Sequence, residues 1–150
     1  MTTRRIKKIL LIDDDDDDFF LFKHALRQVN KDLDIMFYSH RNQVPPEDEC
    51  EIPDIAFLDV NMPEWDGFEW LKRIRKKGFT FPVVMYSTAK NGYFVQRAYT
   101  EGADLYVQKA ASISGLASTL DSVLSMDWNN PKQVASHYQK DGRYYAFGEI

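Results

Sequence analysis

The sequence predicts an α/β domain built on a doubly wound parallel sheet, (βα)5 in outline. Three observations carry this. Short apolar runs recur along the chain and stop at turn-forming or polar residues; segments with helical spacing separate most of them; and the 150 residues, 44% hydrophobic, suit one compact domain with its own core. Strands that alternate with helices specify parallel pairing, crossovers of one hand, and helices on both faces of the sheet.

The first run, Lys8-Ile-Leu-Leu-Ile12, has β-branched residues and stops at six consecutive aspartates, Asp13 to Asp18. Phe19, Phe22, Leu26 and Val29 then fall at helical spacing, with the last aspartates at the amino end, where the helix dipole favours negative charge. Asp16, Asp17 and Asp18 are therefore read as a solvated acidic cap. Asp34-Ile-Met-Phe-Tyr38 is the second strand. Residues 39–53 carry Pro45-Pro46, an acidic cluster and almost no apolar period, so the second helix is expected to be short or absent. Ile55 to Leu58 is the third strand and ends at Asp59; Asn61 follows, and Asp66-Gly67 reads as a turn-forming pair. Phe68, Leu71 and Ile74 mark a helix closed by Lys76-Lys77-Gly78. Pro82-Val-Val-Met-Tyr86 is the fourth strand, ending at Ser87-Thr88, and Phe94, Val95 and Ala98 line the helix after it. Leu105-Tyr-Val107 is the fifth strand, ending at Gln108-Lys109, and Ile113, Leu116, Leu120 and Val123 build the last helix. Residues 1–125 are read as the domain proper. Residues 126–150 hold Trp128, Tyr138, Tyr144, Tyr145 and Phe147 without a clear period, too aromatic for a solvated tail, and are read as an extension of the same domain.

The composition excludes several function classes. A formal net charge of −4 argues against non-specific nucleic-acid or anionic-membrane binding, which needs a basic face. The single cysteine, Cys50, lies between Glu49 and Glu51, poorly placed for thiolate chemistry. No signal-peptide core and no run of ~18 apolar residues is present, so a soluble, cytoplasmic protein is expected.

In a parallel sheet the residues just past strands one, three, four and five gather along one edge. Here these are Asp13 and Asp14, Asp59, Ser87 and Lys109. Carboxylates this close repel one another unless a cation sits among them, and a hard divalent ion, Mg²⁺ above all, suits oxygen ligands and keeps sites free for phosphate oxygens. Lys109 adds a point charge for a phosphoryl oxygen and Ser87 a hydroxyl.

These residues carry a family likeness. Leu11-Ile-Asp-Asp14, Leu58-Asp-Val-Asn-Met-Pro-Glu-Trp-Asp-Gly67, Tyr86-Ser-Thr88 and Tyr106-Val-Gln-Lys109 stand in the order and spacing of bacterial response regulator receiver domains. From about Arg5 to Leu124 the chain resembles such a domain, of the stand-alone chemotaxis-regulator type. The resemblance implies a flavodoxin-like fold and a place in two-component signalling or a phosphorelay. It implies that Asp59 is the phosphoacceptor, taking its phosphoryl group from a histidine of a sensor kinase or phosphotransfer protein. It further implies that Asp14, Asp59 and the backbone carbonyl of Asn61 ligate Mg²⁺, with Asp13 acting through metal-bound water. Ser87 and the aromatic Tyr106 would be the switch pair. They would remodel the face made by the helix after strand four, strand five and the helix after it, where a downstream protein docks; a homodimer is left open. Phosphorylation and hydrolysis would be self-catalysed, with no other enzyme activity.

The family usually has a cis-linked proline after the lysine, where this chain has Ala110. A cis bond before a non-proline residue costs roughly 2.5–4 kcal/mol, which leaves a trans loop or a strained site as the two options. Two other function classes share the strand-end carboxylate. A Mg²⁺-dependent phosphohydrolase working through an aspartyl phosphate would need a general acid two residues after Asp59, where Asn61 cannot serve. A receiver-like docking domain that ignores phosphate would not need every ligand position filled.

Overall fold

The computed structural model describes residues 6–39, 52–62, 66–89 and 91–149. Five parallel strands, β1 (Lys8–Ile12), β2 (Asp34–Tyr38), β3 (Ile55–Asp59), β4 (Val83–Ser87) and β5 (Leu105–Gln108), lie in the order β2-β1-β3-β4-β5. The order reverses direction between β1 and β3, the switch point at which open α/β sheets leave a crevice beyond their strand ends.

Each of the four helices that flank the sheet begins where a short polar side chain captures a backbone N–H that would otherwise lack a partner. Asp15 accepts from the Asp17 amide at the start of α1 (Asp16–Val29), and Asp66 from the Glu69 amide at the start of α2 (Gly67–Lys76). Asn91 caps α3 (Gly92–Thr100) and Ser112 caps α4 (Ile113–Leu124) in the same way. The apolar stripes of α1 and α4 pack on one sheet face with Ile9, Leu11, Phe57, Val84 and Leu105; those of α2 and α3 pack on the other with Leu10, Ile12, Leu58, Val83 and Met85. All five residues of β3 and of β4 are buried, which is why these strands read as continuous apolar runs. The expected short or missing second helix falls within residues 40–51, outside the described residues.

The carboxyl-terminal segment has more order than its pattern foretells. It forms α5 (Pro131–His137) and a hairpin of β6 (Gln139–Lys140) and β7 (Arg143–Tyr144), with the proline at the first turn of the helix. Asp141 and Gly142 both take positive φ, 55° and 76°, the geometry of a two-residue hairpin turn, so Asp141-Gly142 was a readable signal in a stretch whose strands are too short to show a period. The segment then lies on α3 and the free edge of β5. Tyr144 stacks on Tyr99 at 4.6 Å, Gln96 exchanges hydrogen bonds with the Tyr144 backbone at 2.6 and 3.0 Å, and the Phe147 amide donates to the Tyr106 carbonyl at 2.8 Å. An edge strand left bare presents unpaired backbone groups, and this contact closes part of it.

Candidate functional site

The register of the sheet assembles the site. Ile12 lies opposite Leu58, so Asp13 and Asp14, one and two residues on, stand beside Asp59 at the end of β3. Ser87 lies opposite Gln108, and the Lys109 amide donates to the Ser87 carbonyl at 2.8 Å, bringing the lysine to the same edge.

Lys109 Nζ is the hub. It donates to Asp13 Oδ2 at 2.9 Å and Asp18 Oδ2 at 2.6 Å, stands 3.5 Å from Asp59 Oδ2, and lies 5.1 Å from the centre of the Tyr86 ring. Its side chain is only 7% exposed. Burial works against its charge, but hydrogen bonds to Asp18 and Asp13 outweigh that, and its pKa stands above the ordinary lysine value. On Asp13 burial prevails over the stabilising contacts of Lys109 and the Asp15 amide, and the carboxyl is pushed up to about 7. Asp59 is shifted upward as well, by burial first, against the pull of Lys109 and the Asn61 amide, which donates to Asp59 Oδ1 at 3.3 Å.

Carboxylate oxygens of Asp13, Asp14 and Asp59 all lie within 4.8 Å of one another, with Asp14 exposed and the other two buried. Two buried carboxyls held above their ordinary pKa by desolvation are short of positive charge, and a set of hard oxygen donors is what a small divalent cation takes. The residues present therefore fit such an ion. Asn61 reaches Asp59 through its backbone amide. Ser87 is fully buried at the end of β4; its Oγ accepts from the Ala89 amide at 3.1 Å, and the Tyr106 hydroxyl donates to the Ala89 carbonyl at 2.7 Å. Ser87 and Tyr106 thus meet on the same residue, Ala89, and Tyr106 lies inside. No described peptide bond is cis, so the Lys109–Ala110 bond is trans.

Two residues read otherwise from sequence belong here. Asp18 is not a solvated cap: α1 starts directly under the strand ends, and its first turn aims Asp18 at Lys109. Gly67 is not needed for chain reversal, since its φ is not positive; Asp66 caps α2 and the Gly67 amide donates to the Val60 carbonyl. Glycine is required because a Cβ there would land on the Asp59 carbonyl oxygen and lie 2.8 Å from Met85 Cε. Gly67→Ala is accordingly expected to lose about 1–3 kcal/mol of stability in urea unfolding and to shift the backbone carrying Asp59. A variant as stable as the wild type would show that β3 and α2 are less tightly apposed than this.

Among the described residues no helix is long and apolar enough to cross a membrane. The family model for the response regulator receiver domain matches residues 9–121. The chain is 31% identical over 104 residues to the response regulator protein GraR of Staphylococcus saprophyticus, covering 69% of this chain and 46% of that protein. It is 38% identical over 73 residues to a Trichodesmium erythraeum protein-glutamate methylesterase/protein-glutamine glutaminase, covering 47% of this chain and 21% of that protein. Against these curated relatives the chain thus spans less than half of their length. The crystal structure of the phosphorylated cyanobacterial phytochrome response regulator RcpA is similar with a TM-score of 0.66 and 26% identity, over 79% of this chain and 91% of that one.

Proposed function

Because the chain belongs to the response regulator receiver domain family, we propose that Asp59 accepts a phosphoryl group from a histidine of a sensor kinase or phosphotransfer protein, and that the modification controls docking of a downstream protein. The observation that carries this is the position of Asp59, with one carboxylate oxygen facing Lys109 Nζ at 3.5 Å inside a cluster of oxygen donors. In the transfer the P–N bond to the donor imidazole breaks and a P–O bond to Asp59 forms. Asp13, Asp14, Asp59 and the Asn61 carbonyl would hold Mg²⁺. When bound, the ion supplies positive charge for the carboxylates and for the phosphoryl oxygens. Lys109 neutralises a further phosphoryl oxygen, and the chain's contribution is mostly position and electrostatics. Hydrolysis of the acyl phosphate returns the switch to rest.

Readout passes through Ser87 and Tyr106. A Ser87 hydroxyl that turns to the phosphoryl group disturbs its contact with the Ala89 amide, and the Ala89 carbonyl is held by the Tyr106 hydroxyl; the Tyr106 backbone carries the Phe147 contact, and its amide donates to the Tyr99 hydroxyl, itself bonded to the Tyr145 carbonyl. The face made by α3 and β5 is overlaid by residues 144–147, so a downstream protein meets the extension there rather than a bare helix and strand. We place residues 126–150 in the same domain and the protein in the cytoplasm. The phosphohydrolase alternative is not favoured, and neither is docking without phosphate.

Incubation with Mg²⁺ and acetyl phosphate or beryllofluoride separates these readings. Stoichiometric, decaying, metal-dependent modification that Asp59→Asn abolishes supports the switch. Steady turnover of a small phosphoester supports the hydrolase, and no response to either reagent supports docking alone. Metal binding carries its own pH signature. A proton on Asp13 competes with the ion until the carboxyl ionises near 7, so Mg²⁺ affinity is expected to rise roughly tenfold per pH unit below about pH 7 and to level above it. An affinity flat from about pH 5.5 to 7.5 in a titration followed by intrinsic fluorescence would place the ion away from Asp13.

A further inference from the structure

Lys109 has to present a charge to the reacting phosphoryl group, and its amide on the Ser87 carbonyl fixes where the residue leaves the sheet but not where its ammonium points. The bond to Ala110 is trans, no proline ring follows, and a lysine side chain has four flexible carbons between backbone and charge. What fixes the ammonium is a set of side-chain contacts: Asp13 Oδ2 at 2.9 Å, Asp18 Oδ2 at 2.6 Å and the face of Tyr86. Asp13 is also a candidate metal ligand, so its grip on Lys109 is shared with the ion. Asp18 stands outside that trio, and its contact is the shortest of those to Lys109.

We infer that Asp18 is a positioning residue for Lys109, anchoring the ammonium so that one N–H stays aimed at the phosphoryl group on Asp59. The donor count supports it. An ammonium has three N–H bonds; Asp13 and Asp18 take one each, and the third faces Asp59 at 3.5 Å, too long for a good hydrogen bond until an oxygen is added there. The place of Asp18 supports it too. It lies in the first turn of α1, where the helix dipole favours a negative charge, and its side chain is 28% exposed where that of Asp13 is 0% exposed. The helix that carries Asp18 packs directly against α4, the helix that follows Lys109, which holds anchor and lysine in one frame.

The inference rests on the phosphoacceptor reading of Asp59, and the test keeps the two apart. Asp18→Ala and Asp18→Asn remove the same charge, but asparagine retains an oxygen that accepts from Lys109. In the full chain with saturating Mg²⁺, Asp18→Ala is expected to lower the maximal rate of phosphorylation by acetyl phosphate about tenfold with the half-saturating concentration little changed, whereas Asp18→Asn retains most of the rate. Without metal or phosphodonor, competitive acylation read by mass spectrometry should modify Lys109 faster in Asp18→Ala than in the wild type or Asp18→Asn. Equal loss in both variants would assign the effect to charge alone and overturn the inference. So would a wild-type or faster rate in Asp18→Ala, which would make Asp18 a restraint or a bystander. If the wild type itself takes no phosphoryl group, the reading of Asp59 fails, and the acylation arm alone decides whether Asp18 holds Lys109.

Discussion

Lys109→Ala is expected to slow phosphorylation of Asp59 by about 10²–10³-fold, the usual loss when one preorganised charge donor is removed from a reacting oxygen. The same change removes the cation that faces Asp13, Asp18 and Asp59. Breaking a buried ion pair by deleting one partner costs about 3–5 kcal/mol, and the metal-free variant should show a loss of this order near pH 8. The sign of the pH dependence follows from Asp13. Its carboxyl is raised from 3.8 to about 7 by burial, so the folded state binds its proton more tightly than the unfolded chain does. Stability is then greatest at low pH and declines as pH rises through the window from about 4 to 7. Without Lys109 the carboxyl rises further, and the decline extends to higher pH. Urea unfolding of the variant should therefore recover toward the wild type near pH 5 or on adding Mg²⁺, each of which relieves the buried negative charge. A variant that is equally unstable at both pH values would point to lost packing rather than lost charge.

Trp128→Ala is expected to destabilise the protein by about 3–5 kcal/mol, the range for emptying a buried tryptophan site. The indole is fully buried, belongs to the core cluster of α1 and α4, and donates from Nε1 to the Val123 carbonyl at 2.8 Å. Trp128→Phe keeps most of the volume and should recover much of the loss, leaving the missing hydrogen bond. Thermal or urea unfolding decides this. A single cooperative transition that shifts as a whole places the extension in the same folding unit as the five-stranded sheet. An unchanged main transition would mean that the segment after α4 docks on a finished domain.

The acidic site was legible in sequence because parallel strands bring their carboxyl ends to one edge whatever the details of packing. Asp13, Asp14, Asp59, Ser87 and Lys109 could therefore be grouped by counting strands. Asp18 could not be grouped that way. It follows no strand, and its role depends on how α1 leaves β1, a tertiary angle that helical spacing does not encode. Gly67 was noticed for a different reason from the one that requires it, since a glycine beside aspartate signals a turn locally, while the close approach of α2 to β3 appears only in three dimensions. The extension hides its hairpin for a third reason. Two-residue strands cannot show alternation, and its order comes from Gln96, Tyr99 and Tyr106, distant in sequence.

The central claim is that Asp59 is a metal-dependent phosphoacceptor. The most direct measurement treats the full chain with acetyl phosphate, traps the acyl phosphate by borohydride reduction, and locates the modified residue by peptide mass spectrometry. The account predicts one reduced site, at Asp59, formed with Mg²⁺, absent with chelator, and absent in Asp59→Asn. Modification at Asp13 or Asp14 instead, or equal labelling of Asp59 without a divalent ion, would contradict it.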